Sequence, residues 1–100
     1  MATGLRPHRE VQLDKLYYLK PLLLRALNNN QILILSEIGG SCITTVLKNL
    51  SARSGIPLST LKLNAKVLKK LGLIRYDEFY EARLTETGSM ALGIINSNYR

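Results

Sequence analysis

Two helix-forming stretches set almost back to back, with a Gly-Ile-Pro turn between them, limit this chain more than any other feature. Val46, Leu47 and Leu50, with Ala52, form the inward set of a helix over Val46–Ser54, which Thr44 or Thr45 can cap. Gly55 ends that helix and Ile56-Pro57-Leu58 turns the chain, proline being well tolerated near a first helical position. The next helix runs to about Leu71 and is closed by Gly72. On a wheel of about 100° per residue, Leu61, Ala65, Leu68 and Gly72 share one direction, with Asn64 and Leu71 on its shoulder. Those residues are expected to face the core. Opposite them lie Ser59, Lys62, Leu63, Lys66 and Lys70, with Thr60, Val67 and Lys69 at the margins.

The rest of the chain supplies short flanking pieces. Residues 1–9 carry no periodicity and read as a loose arm; residues 10–100 read as one domain. Leu13, Leu16, Lys20, Leu23 and Leu27 recur at helical spacing over about 13–28, with Pro21 as a kink or a second start. In the Asn28-Asn29-Asn30 cluster the last residue is the expected cap of a helix through Gln31–Ile38, ended by Gly39-Gly40. Cys42-Ile43-Thr44 is β-branched enough for an edge strand. Leu73–Tyr76 and Ala82–Leu84 read as paired strands around a polar turn, Asp77–Glu81. Thr85 then caps a final helix over about 85–96, whose buried side is Met90, Ala91, Ile94 and Ile95. The expected fold class is mainly α with one small β-hairpin.

Charge singles out the middle of the chain. The formal net charge is +7, and between Ile38 and Tyr76 there is no Asp or Glu at all. That stretch holds Lys48, Arg53, Lys62, Lys66, Lys69, Lys70 and Arg75, while the remaining cations and acids cancel. Solvated surfaces usually mix both signs. An excess confined to one segment points to a polyanionic partner, most simply nucleic acid. Hydroxyls at the start of the second helix and lysines along it suit a major-groove element, since residues near a helix N-terminus reach base edges and flanking cations meet phosphates.

Val46-Leu47-Lys48-Asn49-Leu50-Ser51-Ala52-Arg53-Ser54-Gly55-Ile56-Pro57-Leu58-Ser59-Thr60-Leu61 resembles a helix-turn-helix, with Ala52 where the helices cross. Leu68-Lys69-Lys70-Leu71-Gly72-Leu73-Ile74 looks like a recognition helix running into a wing. Arg83-Leu84-Thr85-Glu86-Thr87-Gly88 resembles the L-T-x-x-G that follows the wing in winged helix-turn-helix regulators of the MarR, PadR and ArsR kind, and the small size and single domain look most like compact archaeal members. The resemblance spans about Asn30 to Gly88, with the helix-turn-helix at 46–71 and the wing at 73–84. It implies a transcription regulator that binds double-stranded DNA as a homodimer, with helix 57–71 in the major groove. It also implies that Ser59, Thr60, Lys62, Leu63 and Lys66 occupy groove-facing positions. Two departures stand out: Pro57 replaces the usual capping Ser or Thr, and the wing tip is acidic where a DNA-reading wing carries Arg or Lys.

Lys48, Arg53, Lys69, Lys70 and Arg75 are the expected phosphate contacts. Ser59 and Thr60 either meet a base or phosphate or only satisfy backbone donors, and Leu63 either touches a thymine methyl or is a solitary exposed leucine. Phe79 and Tyr80 are expected to fold back on the hairpin. The leucine-rich first helix and the final helix either form the dimer contact or pack only on their own core. A cleft between those helices and the recognition unit leaves room for a small-molecule effector that no residue identifies. The alternative function is a protein-interaction winged helix within a transcription, replication or sorting assembly.

Enzymatic readings fail on inventory. The sole histidine, His8, lies in the arm, and there is neither G-x-x-x-x-G-K nor G-x-G-x-x-G. Asp77, Glu78 and Glu81 share a solvated turn rather than a pocket, so no catalytic residue, cofactor or metal is expected. Cys42, the single cysteine, can neither form an internal disulfide nor hold zinc alone. Met1–Pro7 lacks the hydrophobic core of a signal peptide, and the longest apolar runs, such as Ile32–Leu35, are far short of a membrane span. The expected compartment is the cytoplasm.

Overall fold

The computed structural model describes residues 18–97. The expected arm at 1–9 and the first residues of the expected helix at 13–28 lie outside them. A helical segment, α1, covers 18–26 with Pro21 inside it. It is followed by α2 (Asn29–Glu37), α3 (Ile43–Ser54), α4 (Leu58–Lys70), β1 (Ile74–Arg75), β2 (Arg83–Leu84) and α5 (Glu86–Ile95). The fold is mainly helical with one small antiparallel two-stranded hairpin, in which Ile74 pairs with Leu84 and Arg75 with Arg83. No helix among the described residues is long and apolar enough to cross a membrane.

One core gathers the inward face of every element. Ile34 and Leu35 of α2, Leu61 and Leu68 of α4 and Ile74 of β1 are fully buried. Ile43, Leu47 and Leu50 of α3, Ala65 of α4, Leu27 after α1, Leu73 before β1, Ala82 before β2 and Ala91 of α5 complete the cluster. Consequently α4 packs against α2, α3 and β1 together, and only its remaining side meets solvent.

Local hydrogen bonds explain where the observed boundaries depart from the expected ones. The cap of α2 is Asn28, not Asn30: Asn28 Oδ1 accepts from the Gln31 amide at 2.8 Å and Gln31 Oε1 accepts from the Asn28 amide at 3.1 Å. This reciprocal pair satisfies two amides that a helix start otherwise orphans. The Cys42-Ile43-Thr44 strand reduces to a single bridge from Cys42 to Glu81, and α3 begins at once with Ile43. Ala52 is exposed, because it follows Leu50 by two residues and so points about 200° away from it. The turn into α4 is held instead by Ser51 Oγ donating to the Ile56 carbonyl at 2.6 Å, with Gly55 at φ +78°. A left-handed residue of this kind closes helices well when it has no Cβ.

The hairpin's return is pinned from both sides. The Thr85 amide donates to the Leu73 carbonyl at 3.0 Å, and Thr85 Oγ1 donates to the Gly72 carbonyl while accepting from the Gly88 amide at 3.0 Å. Thr85 caps α5 as expected, and it also fixes the end of α4 against the start of α5. Ala91 is buried and Ile95 packs on the core, but Met90, expected inward, is exposed.

Candidate nucleic-acid interface

The outward side of α4 carries four of the seven cations of the acid-free stretch. Its buried residues are Leu61, Asn64, Ala65 and Leu68. Ser59, Lys62, Leu63, Lys66, Lys69 and Lys70 are exposed, and Thr60 is half-buried at the margin. The start of the helix takes no side-chain cap from Pro57, so its first amides point outward beside Ser59. Uncapped amides, the positive end of the helix dipole and lysines one turn apart create a field suited to anionic oxygens.

The lysines are not simply solvated. Lys62 and Lys66 run along a small cleft of about 200 Å³ that they line with Ile43, Thr44, Leu47, Ala65 and Tyr76. Apolar stems laid on such a surface steady the charged tips. Lys69 Nζ sits 4.6 Å from the centre of the Tyr76 ring, a cation–π contact tying the end of α4 to the residue after β1. Burial pushes the Tyr76 phenol above its ordinary value. The Thr45 hydroxyl beside Cys42, 3.3 Å from its sulfur, pulls that exposed thiol below its own.

The other expected cations stand apart from this face. Lys48 and Arg53 lie exposed on α3, and Arg53 Nη2 meets Glu37 Oε1 at 2.6 Å, an acid just outside the acid-free stretch. Arg53 is therefore already engaged. Arg75 faces solvent on β1, directly across from Arg83, which reaches Glu81 at 3.2 Å. The structure thus brings Ser59, Lys62, Leu63, Lys66 and Lys70 together, holds Lys69 at the edge, and leaves Lys48, Arg53 and Arg75 on neighbouring elements.

Three features are not foreseen from the sequence. Asn64 is a buried hub: its Oδ1 accepts from Asn28 Nδ2 at 3.0 Å and Gln31 Nε2 at 3.1 Å, while its Nδ2 donates to the Thr60 carbonyl at 2.9 Å. The Asn28-x-x-Gln31 spacing of a capping box is the available signal for the α2 half of this network. Leu71, expected near the core, is 56% exposed, and with Leu63 and Val67 it forms an apolar stripe beside the lysines. Phe79 and Tyr80, expected to fold back, are 84% and 71% exposed. Their amides are drawn instead to Asp77 Oδ1 at 2.9 and 3.0 Å, which turns both rings outward at the tip.

No metal-holding group of His, Cys, Asp or Glu occurs among the described residues. Compared with protein-family models, curated proteins and solved structures, the chain gives no match.

Proposed function

We propose that this chain is a winged-helix protein that binds double-stranded DNA through α4, as a homodimeric transcription regulator. One observation carries the reading: α4 buries one side completely and offers on the other an acid-free set of hydroxyls and lysines. Helices α3 and α4 with their tight turn, followed by the β1–β2 hairpin and Thr85-x-x-Gly88, supply the parts of such a fold in the right order. In this arrangement Ser59, Lys62, Leu63 and Lys66 meet the major groove. Lys69, Lys70, Lys48 and Arg75 flank the phosphates, and Arg53 does so only on release from Glu37. Two such helices in a dimer read half-sites about 34–36 Å apart.

Competition between duplex and single strand of one sequence in a single gel tests the nucleic-acid class. Duplex preference is the expected result. Single-strand binding usually stacks bases on aromatics, and the acid-free stretch before Tyr76 contains none. Equal or greater affinity for the single strand contradicts the proposal.

A second reading draws on the hairpin tip. There Asp77, Glu78 and Glu81 repel a polyanion, while outward Phe79 and Tyr80 suit a protein surface. If duplex binding is absent, this reading takes over: the molecule is then an interaction module that docks through its hairpin.

A further inference from the structure

The geometry of α4 points to the base chemistry it reads. We infer that its direct readout is of the C5-methyl groups of thymine in the major groove, through Leu63 with Val67 beside it. The inference rests on the duplex-binding reading above and adds the feature of the duplex that is recognised.

Helix α4 lacks most of the side chains that read base edges. Bidentate recognition of adenine needs an accessible Asn or Gln, cytosine an accessible Asp or Glu, and guanine is best met by Arg. The helix sequence LSTLKLNAKVLKK contains no Arg, Gln, Asp or Glu. Its one carboxamide, Asn64, is buried, with its oxygen accepting from Asn28 and Gln31 and its nitrogen donating to the Thr60 carbonyl. Buried and held by three hydrogen bonds, that side chain is out of reach of a base. Lysine remains for guanine or phosphate, and the hydroxyls of Ser59 and Thr60 discriminate little.

Besides its lysines and hydroxyls, α4 presents an apolar line. Leu63 lies within about 30° of the direction opposite the core, so it sits at the centre of the outward face. It is 64% exposed, with Val67 one turn on and 36% exposed. Lysines border this apolar line: Lys62 and Lys66 on one side, Lys70 close to its axis. A leucine in the middle of a cationic face is poorly placed for water. It is well placed for the apolar group that the major groove carries, because the flanking charges match the phosphates on either side of that group.

Four duplexes of equal length test this at one salt concentration: alternating dA·dT, the same duplex with deoxyuridine for thymidine, alternating dG·dC, and the latter with 5-methylcytosine. Loss of the thymine methyls is expected to weaken binding about fourfold for each methyl group that the helix touches. Methylation of cytosine, which puts a methyl at the same groove position, is expected to strengthen binding by a like factor. The exposed double variant Leu63→Ala/Val67→Ala is expected to abolish both differences while keeping the wild-type salt dependence. Equal binding of the thymidine and deoxyuridine duplexes, with salt dependence intact, overturns this inference alone. So does a methyl effect that survives in the double variant. Absence of binding to every duplex sinks the DNA reading and this inference with it.

Discussion

A side chain at position 88 has nowhere to go, because a Cβ built there would overlap the carbonyl oxygen of Leu73. That carbonyl is already fixed by the Thr85 amide, so it cannot swing aside without loosening the junction between hairpin and α5. Gly88→Ala is therefore expected to cost about 3 kcal/mol, read as a lowered urea midpoint with unchanged slope. Asn64 makes an opposite kind of demand. Its replacement by Leu keeps the volume but strands the Gln31 amide in the interior, at a cost of about 2 kcal/mol. Adding Gln31→Leu removes the stranded group, and part of the stability is expected to return in the same unfolding assay. A double variant less stable than Asn64→Leu alone would show that the bond from the Asn28 amide to Gln31 Oε1 outweighs the orphaned amide.

At the scale of elements, α4 divides its labour between its two faces. Alanine at both Lys62 and Lys66 is expected to leave the melting temperature nearly unchanged while weakening duplex binding by about 1–3 kcal/mol for each lysine that meets a base edge. Arg53 behaves differently, since its pair with Glu37 is exposed and such pairs contribute little to stability. Glu37→Gln is expected to free that guanidinium and strengthen duplex binding modestly, more at low salt than at high; unchanged affinity would place Arg53 outside the interface. The elements themselves were largely legible in the sequence. Apolar spacing located α3 and α4, and glycine with proline marked the turn and the helix ends, because those signals act within one helical turn. Other features depended on neighbours distant in sequence. Asn64 is buried only because Asn28 and Gln31 arrive from α2. Leu71 sat at the wheel's shoulder, and as the C-cap of α4 it is exposed. The outward turn of Phe79 and Tyr80 depends on one carboxylate, Asp77, capturing two amides, a local choice that residue type alone does not force.

Over the described residues as a whole, two surfaces stand out, one charged and one apolar. On α1, Leu23 packs against the core while Tyr18, Leu22 and Leu24 stay exposed, and Met90 of α5 is uncovered as well. A helix apolar on most of its circumference is generally buried from several sides. In the proposed homodimer a second copy covers it. Leu22→Asp is then expected to convert the dimer to a monomer in sedimentation equilibrium, and a wild-type chain that is already monomeric at micromolar concentration would contradict the dimer. The charged surface answers to ionic strength. With about four phosphates neutralised per protomer, the duplex association constant of the dimer should fall with salt along a log–log slope of about −7. A fluorescence titration of labelled duplex at several salt concentrations measures that slope directly. A steep linear fall is the predicted result, and a flat line, or no binding at low salt, would contradict the claim that α4 and its lysines form a DNA-binding face.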